Sequence, residues 1–376
     1  MDYSLSEEQE IIKKAAHDFL TNECPTSFIR EMIEDEKGYS PEMWKKMADL
    51  GWMGFIYPVS YGGMEGSFLD LAVLLEEMGK FILPGPYFSS VILGGQLLLE
   101  GGNEKQKDKY IPSIVNGESI FTLALIEASA KYTPGSIKVT AKKSDNGYII
   151  DGTKLFVSDA HVAQQIIVAA RTKDGVGADG ITLFVVDGKS SGVSYTALPT
   201  IAGDKQFVVK FDKVLVPNDN ILGDIDQGWS IIEKIWPKII VCRCAQIVGA
   251  AQQAFDMTIQ FVKERKQFGQ PLGTLQAIHH FCADMAADLD GCRYMTYQAA
   301  WMLSEGLPCV KEIAMAKSWC SDAFKRITAK AHQAHGAMGF TEEYDLHLYY
   351  KNAKSWELLY GDSAFHREVV AQQMGM

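Results

Sequence analysis

SIKVTAKKSDNGYIIDGTKLFVSDA, residues 136–160, decides how the chain divides. It is made of β-branched and aromatic runs broken at Asp145-Asn146-Gly147, a turn signal. QQIIVAAR (164–171), GITLFVVD (180–187) and KQFVVKFDKVLVP (205–217) continue the pattern, with further turns at Asp174-Gly175 and Asp187-Gly188. Such runs, with no helical segment between them, predict an antiparallel β domain of sandwich or barrel type and disfavour a parallel βαβ sheet.

On both sides of this island the rhythm is helical. Ser6 and Gln9 have capping-box spacing, and Ile11, Ile12, Ala15, Phe19 and Leu20 follow at helical intervals. Met43, Met47 and Leu50 mark a second helix that stops at Gly51. Residues 67–80 and 87–99 read as apolar helices separated at Pro84-Gly85-Pro86, and YPVSYGGMEGS (57–67) reads as a turn-rich connection. Beyond the β island, helices are predicted over 228–265, 274–304, 309–335 and 353–371, enough for a four-helix bundle. The expected α+β order is a helical domain (1–118), a β domain (119–220) and a helical bundle (221–376).

Composition narrows the function. The chain has 376 residues and a formal net charge of −11, which argues against a general nucleic-acid surface. The 7 cysteines show no metal-ligand spacing and are expected to be reduced, in a cytoplasmic setting. MDYSLSEEQE lacks the features of a secretory signal, and no apolar run is long enough to span a membrane. His332 and His335 stand one helical turn apart without a third ligand, so no metal site is expected.

Four stretches, taken in order, resemble the acyl-CoA dehydrogenase family along essentially the whole chain. KERKQFGQPLGTLQAIHHFCADM (263–285) resembles its R-x-x-F-G…Q signature, and QAHGAMGFTEEYDLHLYYKNAK (333–354) its Q-x-x-G-G-x-G segment. DGTKLFVSDA (151–160) resembles its G-x-K-x-W-I-T-N-G strand, and AKSWELLYGDSAFHREVVA (353–371) its C-terminal catalytic run. The resemblance implies a non-covalent FAD between the β domain and the bundle, an acyl-CoA substrate, and a homotetramer or a heterotetramer with a second dehydrogenase-like subunit. It also implies an electron-transfer flavoprotein as acceptor. Arg265, Phe268 and Gln276 would meet the cofactor of a neighbouring protomer, with Gln333 and Gly336 along the same diphosphate path. Ser158 stands where the family has a hydroxyl facing the flavin, Phe156 where it has tryptophan, and Gly361 matches its C-terminal glycine. ALIEAS (124–129) departs from the family's T-E-P run: Ile126 stands at a flavin-contacting threonine, and the following G-S-D is missing.

The family's reaction removes a proton alpha to the thioester and a hydride from the beta carbon. The proton acceptor must be ionised and held over the substrate. The family's usual C-terminal glutamate falls on Tyr360, and the alternative position on the first bundle helix falls on Ile239, followed by Ile240. A free tyrosine has a pKa near 10, so tyrosinate at neutral pH costs about 4 kcal/mol. The remaining candidates are Asp362, which is either the displaced base, a ribose ligand or a helix cap, and Arg243. Arg243 shares a helix face with Ile239 and Gln246, where it either replaces the family arginine, binds a substrate carboxylate or makes an ion pair. Glu127 and Asp159 are weaker candidates for the base. Two readings stay open: an active dehydrogenase, for a cyclic or branched acyl group, with an unusual base; or a non-catalytic partner resembling the small subunits of heteromeric acyl-CoA dehydrogenases.

Overall fold

The computed structural model describes residues 4–376. The chain forms two compact units. One comprises 1–31, 67–83 and 240–376; the other comprises 32–66 and 84–239.

The first helices are α1 (Glu7–Glu23), α2 (Thr26–Glu34), α3 (Pro41–Asp49), α4 (Phe68–Lys80), α5 (Gly95–Gly101) and α6 (Glu104–Val115). The capping box at Ser6 forms in both directions: Gln9 N–H donates to Ser6 Oγ and Ser6 N–H to Gln9 Oε1. The 57–67 connection is a packed turn: a Cβ on Gly63 would lie 2.1 Å from the Tyr57 carbonyl oxygen. The helix expected over 87–99 is instead a π-helical segment, Phe88–Gly94, running into α5. The Tyr57 hydroxyl donates to the Val91 carbonyl at 2.5 Å, and Gly95 N–H reaches back to Ser90. A side chain inserted into a helix ladder widens that turn.

The strands are β1 (Phe121–Ala124), β2 (Thr140–Ser144), β3 (Gly147–Ser158), β4 (Gln165–Arg171), β5 (Ile181–Asp187), β6 (Val193–Leu198), β7 (Gln206–Val216) and β8 (Ile221–Leu222). They form one sheet in the order β6-β7-β3-β2-β4-β5-β8, with β1 beside β4. The β2–β3 hairpin turns at Asp145-Asn146, as the sequence indicates. The sheet is not wholly antiparallel: β1 runs parallel to β4, and β2 meets β4 in parallel at Thr140 and Arg171. β4 is buried from Ile166 to Arg171, which fits a strand covered on both faces.

Lys154 is 0 % exposed inside this unit. Its ammonium donates to Glu127 at 2.7 Å and to the Leu125 carbonyl at 3.1 Å, while Glu127 also accepts from the Lys138 and Val139 amides. Burial draws the Lys154 pKa down to about 8 against the opposing pull of Glu127.

The C-terminal helices are α7 (Gly228–Glu264), α8 (Gln276–Ser304), α9 (Val310–His335), α10 (Leu346–Leu358) and α11 (Ser363–Gln373), with a short hairpin, β9 (Lys266–Gln267) and β10 (Gln270–Pro271), after α7. α4 belongs to the same unit as most of them and is buried from Leu71 to Gly79. A Cβ on Gly249 of α7 would lie 1.7 Å from the Glu76 carbonyl oxygen, and one on Gly79 of α4 2.1 Å from that of Gln246. Glycine at both positions lets the two backbones touch. Buried Glu76 accepts from Lys13 and Tyr297, tying α1 and α8 to α4. The helix expected over 353–371 is broken: α10 ends at Leu358, α11 starts at Ser363, and Tyr360 and Gly361 both have positive φ. Among the described residues, no helix is long and apolar enough to cross a membrane.

Lys154→Ala leaves Glu127 buried without its counter-charge, so it should cost about 3–5 kcal/mol. Denaturant unfolding measures this, with the surface change Lys142→Ala as a control expected to fall within about 0.5 kcal/mol of the unaltered protein.

Candidate active site

The break between α10 and α11 places Tyr360, Gly361 and Asp362. A helix leaves its last carbonyls unsatisfied. Here the Lys317 ammonium from α9 takes them up, donating to the carbonyls of Trp356 (3.2 Å), Glu357 (3.0 Å) and Gly361 (3.0 Å) and to Ser321 Oγ (2.9 Å). The Tyr360 carbonyl accepts from His366 Nε2 at 3.0 Å, which fixes the proton on that nitrogen. Burial pushes the His366 pKa down to about 4, so the ring is neutral at ordinary pH. Tyr360 has φ +63°, a conformation that costs a non-glycine residue about 1–2 kcal/mol. Gly361 has φ +96°, and a Cβ there would meet Phe365 Cδ1 at 2.5 Å.

Asp362 caps α11: its Oδ1 accepts from the Phe365 amide at 2.8 Å. This is the capping alternative weighed from the sequence. The Tyr360 ring is buried beside Arg243, whose guanidinium carbon lies 5.7 Å from its centroid and 5.1 Å from that of Trp356. Arg243 is 7 % exposed, and on the same helix Gln246 Oε1 is buried with no hydrogen-bond partner. Ile239 and Ile240 are buried apolar side chains. Glu127 is held by Lys154 and two amides, while Asp159 accepts from Ser89 Oγ at 2.5 Å. Both have structural duties.

The residues matched to cofactor contacts face solvent. Phe268 and Gly269, φ +53° and +79°, form the two-residue loop of the β9–β10 hairpin. Positive φ at both positions is the type I′ geometry. Phe268 is 88 % exposed on that turn, and Arg265 and Gln276 on either side are exposed. Gln333 and Gly336 are exposed at the end of α9, where a Cβ on Gly336 would meet nothing within 4 Å. Phe261 of α7 stacks on His335 at 4.2 Å, bringing the two helix ends together. An exposed arginine, an aromatic ring, amides and an open glycine suit a diphosphate and an aromatic ring system. In the other unit, a register shift between Lys154 and Val157 turns Phe156 outward at φ +54°, 47 % exposed, with Ser158 half-buried beyond it. Ile126 is buried.

His332 and His335 donate from Nδ1 to the Thr328 and Ala331 carbonyls, and burial lowers both pKa values. No group of three His, Cys, Asp or Glu among the described residues is arranged to hold a metal ion.

Three family models match in succession: the acyl-CoA dehydrogenase N-terminal domain over residues 6–118, the middle domain over 122–214 and the C-terminal domain over 226–375. The chain belongs to the acyl-CoA dehydrogenase family. Such proteins are oxidoreductases acting on CH–CH bonds, and FAD is their cofactor. The chain is 32 % identical to subunit CarC of a caffeyl-CoA reductase–Etf complex from Acetobacterium woodii, over 97 % of this chain and 98 % of that protein. Its fold matches butyryl-CoA dehydrogenase from Megasphaera elsdenii with a TM-score of 0.93 and 28 % identity, covering 100 % of both chains. It also matches a chain of the ChsE4–ChsE5 complex from Mycobacterium tuberculosis, with a TM-score of 0.90, 25 % identity and coverage of 100 % and 99 %.

Sequence reasoning missed Lys317, His366 and Trp356. The one available signal was Lys317 itself, a lysine on a helix face it shares with Ile313 and Cys320. Asp362→Ala should cost about 1 kcal/mol through loss of the cap, and Asp362→Asn should stay within about 0.5 kcal/mol. Thermal unfolding of both variants checks the difference.

Proposed function

We propose that this chain carries out α,β-dehydrogenation, or the reverse reduction, of an acyl-CoA thioester with FAD, using a site in which Tyr360, as tyrosinate beside the Arg243 guanidinium, accepts the alpha proton in place of the family's carboxylate. One observation supports this reading: Tyr360 stands in the turn matched to the family's C-terminal catalytic run, held left-handed with its ring beside Arg243. When bound, FAD supplies the two-electron chemistry at the beta carbon. Arg265, Phe268, Gln276, Gln333 and Gly336 would hold the diphosphate and adenine side of a neighbouring protomer's FAD, and Phe156 and Ser158 the ring side of this chain's own. Arg243 offers a cation to the charge that develops on the thioester and enolate. The bulk of Tyr360, with Ile239 and Ile240, favours a cyclic or branched acyl group. Asp362 is assigned to capping.

An electron-transfer flavoprotein is the proposed redox partner, a reading supported by the likeness to a subunit of a reductase–Etf complex. A tetramer in the cytoplasm is the proposed setting.

A second reading is favoured by a contrast within the chain. The solvent-facing set at Arg265, Phe268 and Gln276 matches the family, whereas Ile126, Phe156 and Tyr360 depart from it. This pattern suits a partner subunit that completes another chain's flavin site, and the likeness to a ChsE4–ChsE5 complex supports it.

Purification separates the two readings. A yellow protein that bleaches anaerobically with an acyl-CoA supports the first. A protein that is colourless alone and yellow only when co-purified with a second dehydrogenase-like chain supports the second. In either case Arg265→Ala should lower flavin content by about 10-fold or more, because a charge-assisted phosphate contact is lost. Unchanged flavin content at unchanged fold removes the cofactor assignment.

A further inference from the structure

The turn at Tyr360 and Gly361 is held from outside itself. Nothing in its own backbone favours a left-handed tyrosine, yet side chains from α9 and α11 fasten both carbonyls that follow from that conformation. We propose that Lys317 and His366 form a two-point clamp that positions the Tyr360 ring against Arg243 and Trp356, and that the Lys317 point loosens when its ammonium loses a proton.

The ammonium has three N–H donors, and four oxygens surround it. A neutral amine keeps two donors and turns a lone pair toward carbonyl oxygens. One of the helix-end or turn carbonyls then loses its partner in a buried place. His366 keeps donating throughout, since its pKa is pushed down to about 4.

The groups facing Lys317 are Arg243 and Cys244 of α7, Cys320 of α9, Glu357 of α10 and His366 of α11. Burial draws Lys317 down to about 8, opposed by Cys244, Cys320 and Glu357 and reinforced by Arg243. Glu357 is itself tied to Lys325 and Lys354. Hydrogen bonds from Cys244 and Cys292 draw the Cys320 thiol down, so Cys320 needs its own control.

The sign of the linkage separates local from global effects. The folded pKa of Lys317 lies below its unfolded value, so between about 8 and 10.5 the unfolded chain binds more protons. Over that window this group's contribution to stability rises with pH. The turn therefore loosens without Lys317 drawing the fold toward unfolding.

The test uses the full-length, ligand-free protein. Near-UV circular dichroism and tryptophan fluorescence are followed from pH 6 to 9.5, since Arg243 lies 5.1 Å from the Trp356 ring and its displacement changes that signal. The expected result is a one-proton transition in the part of the signal that Trp356 contributes, with a midpoint near pH 8, in the unaltered protein and in Cys320→Ala. It should be absent from Lys317→Met and from Trp356→Phe. A flat profile in the unaltered protein, a transition that survives Lys317→Met, or one lost in Cys320→Ala overturns the proposal. If Lys317→Met does not fold, the other three proteins still decide.

A second arm rests on the functional reading above, in which Tyr360 lies beside the acyl group. Butyryl-CoA affinity should fall several-fold between pH 7 and 9 in the unaltered protein, more than in Lys317→Met. A spectroscopic transition without that affinity change upholds the clamp and overturns the placement of Tyr360 at the acyl group.

Discussion

An ammonium that gives up its water must receive oxygens in exchange, and both units are organised around that requirement. Lys154 and Lys317 are each 0 % exposed. Lys154 is met by a carboxylate, which in turn collects two backbone amides and fixes the loop between β1 and β2. Lys317 is met mainly by carbonyls that a helix end would otherwise leave bare. The first arrangement is an ion pair and makes a rigid strand junction. The second places a positive charge at the negative end of a helix and makes a turn.

Three of the nine positive-φ non-glycine residues among the described residues stand at positions matched to the family's site. Tyr360 and Gly361 adopt left-handed angles where the carbonyls are gathered around Lys317. Phe156 does so at a register shift two residues beyond buried Lys154, and Phe268 at a hairpin tip. These three carry aromatic side chains, and strained backbone is found where the surrounding structure holds it in place.

Much of this was legible in the residues. The Ser6–Gln9 box, the Asp145-Asn146 hairpin turn and the long bundle helices follow from local chemistry, and local chemistry decided them. Two readings yielded to tertiary contacts. The helix over 87–99 widens because the Tyr57 hydroxyl, 34 residues before Val91, takes the Val91 carbonyl. The helix over 353–371 breaks because Lys317 and His366 reward the broken form. The parallel pairing of β1 with β4 was equally hidden, because a connection of this kind leaves no turn signal. At the candidate site, the resemblance put Tyr360 and Ile239 at the family's carboxylate positions, whereas the hydrogen bond by which Asp362 caps α11 needed coordinates.

The bonds from Lys317 and His366 that fasten the turn run through its main-chain oxygens, so neither depends on which side chain residue 360 carries. The turn works as a socket. Chains built on this plan can exchange the group presented at that point by a single codon change and keep the surrounding architecture. The group presented at the end of α10 is thereby only loosely tied to the fold that supports it.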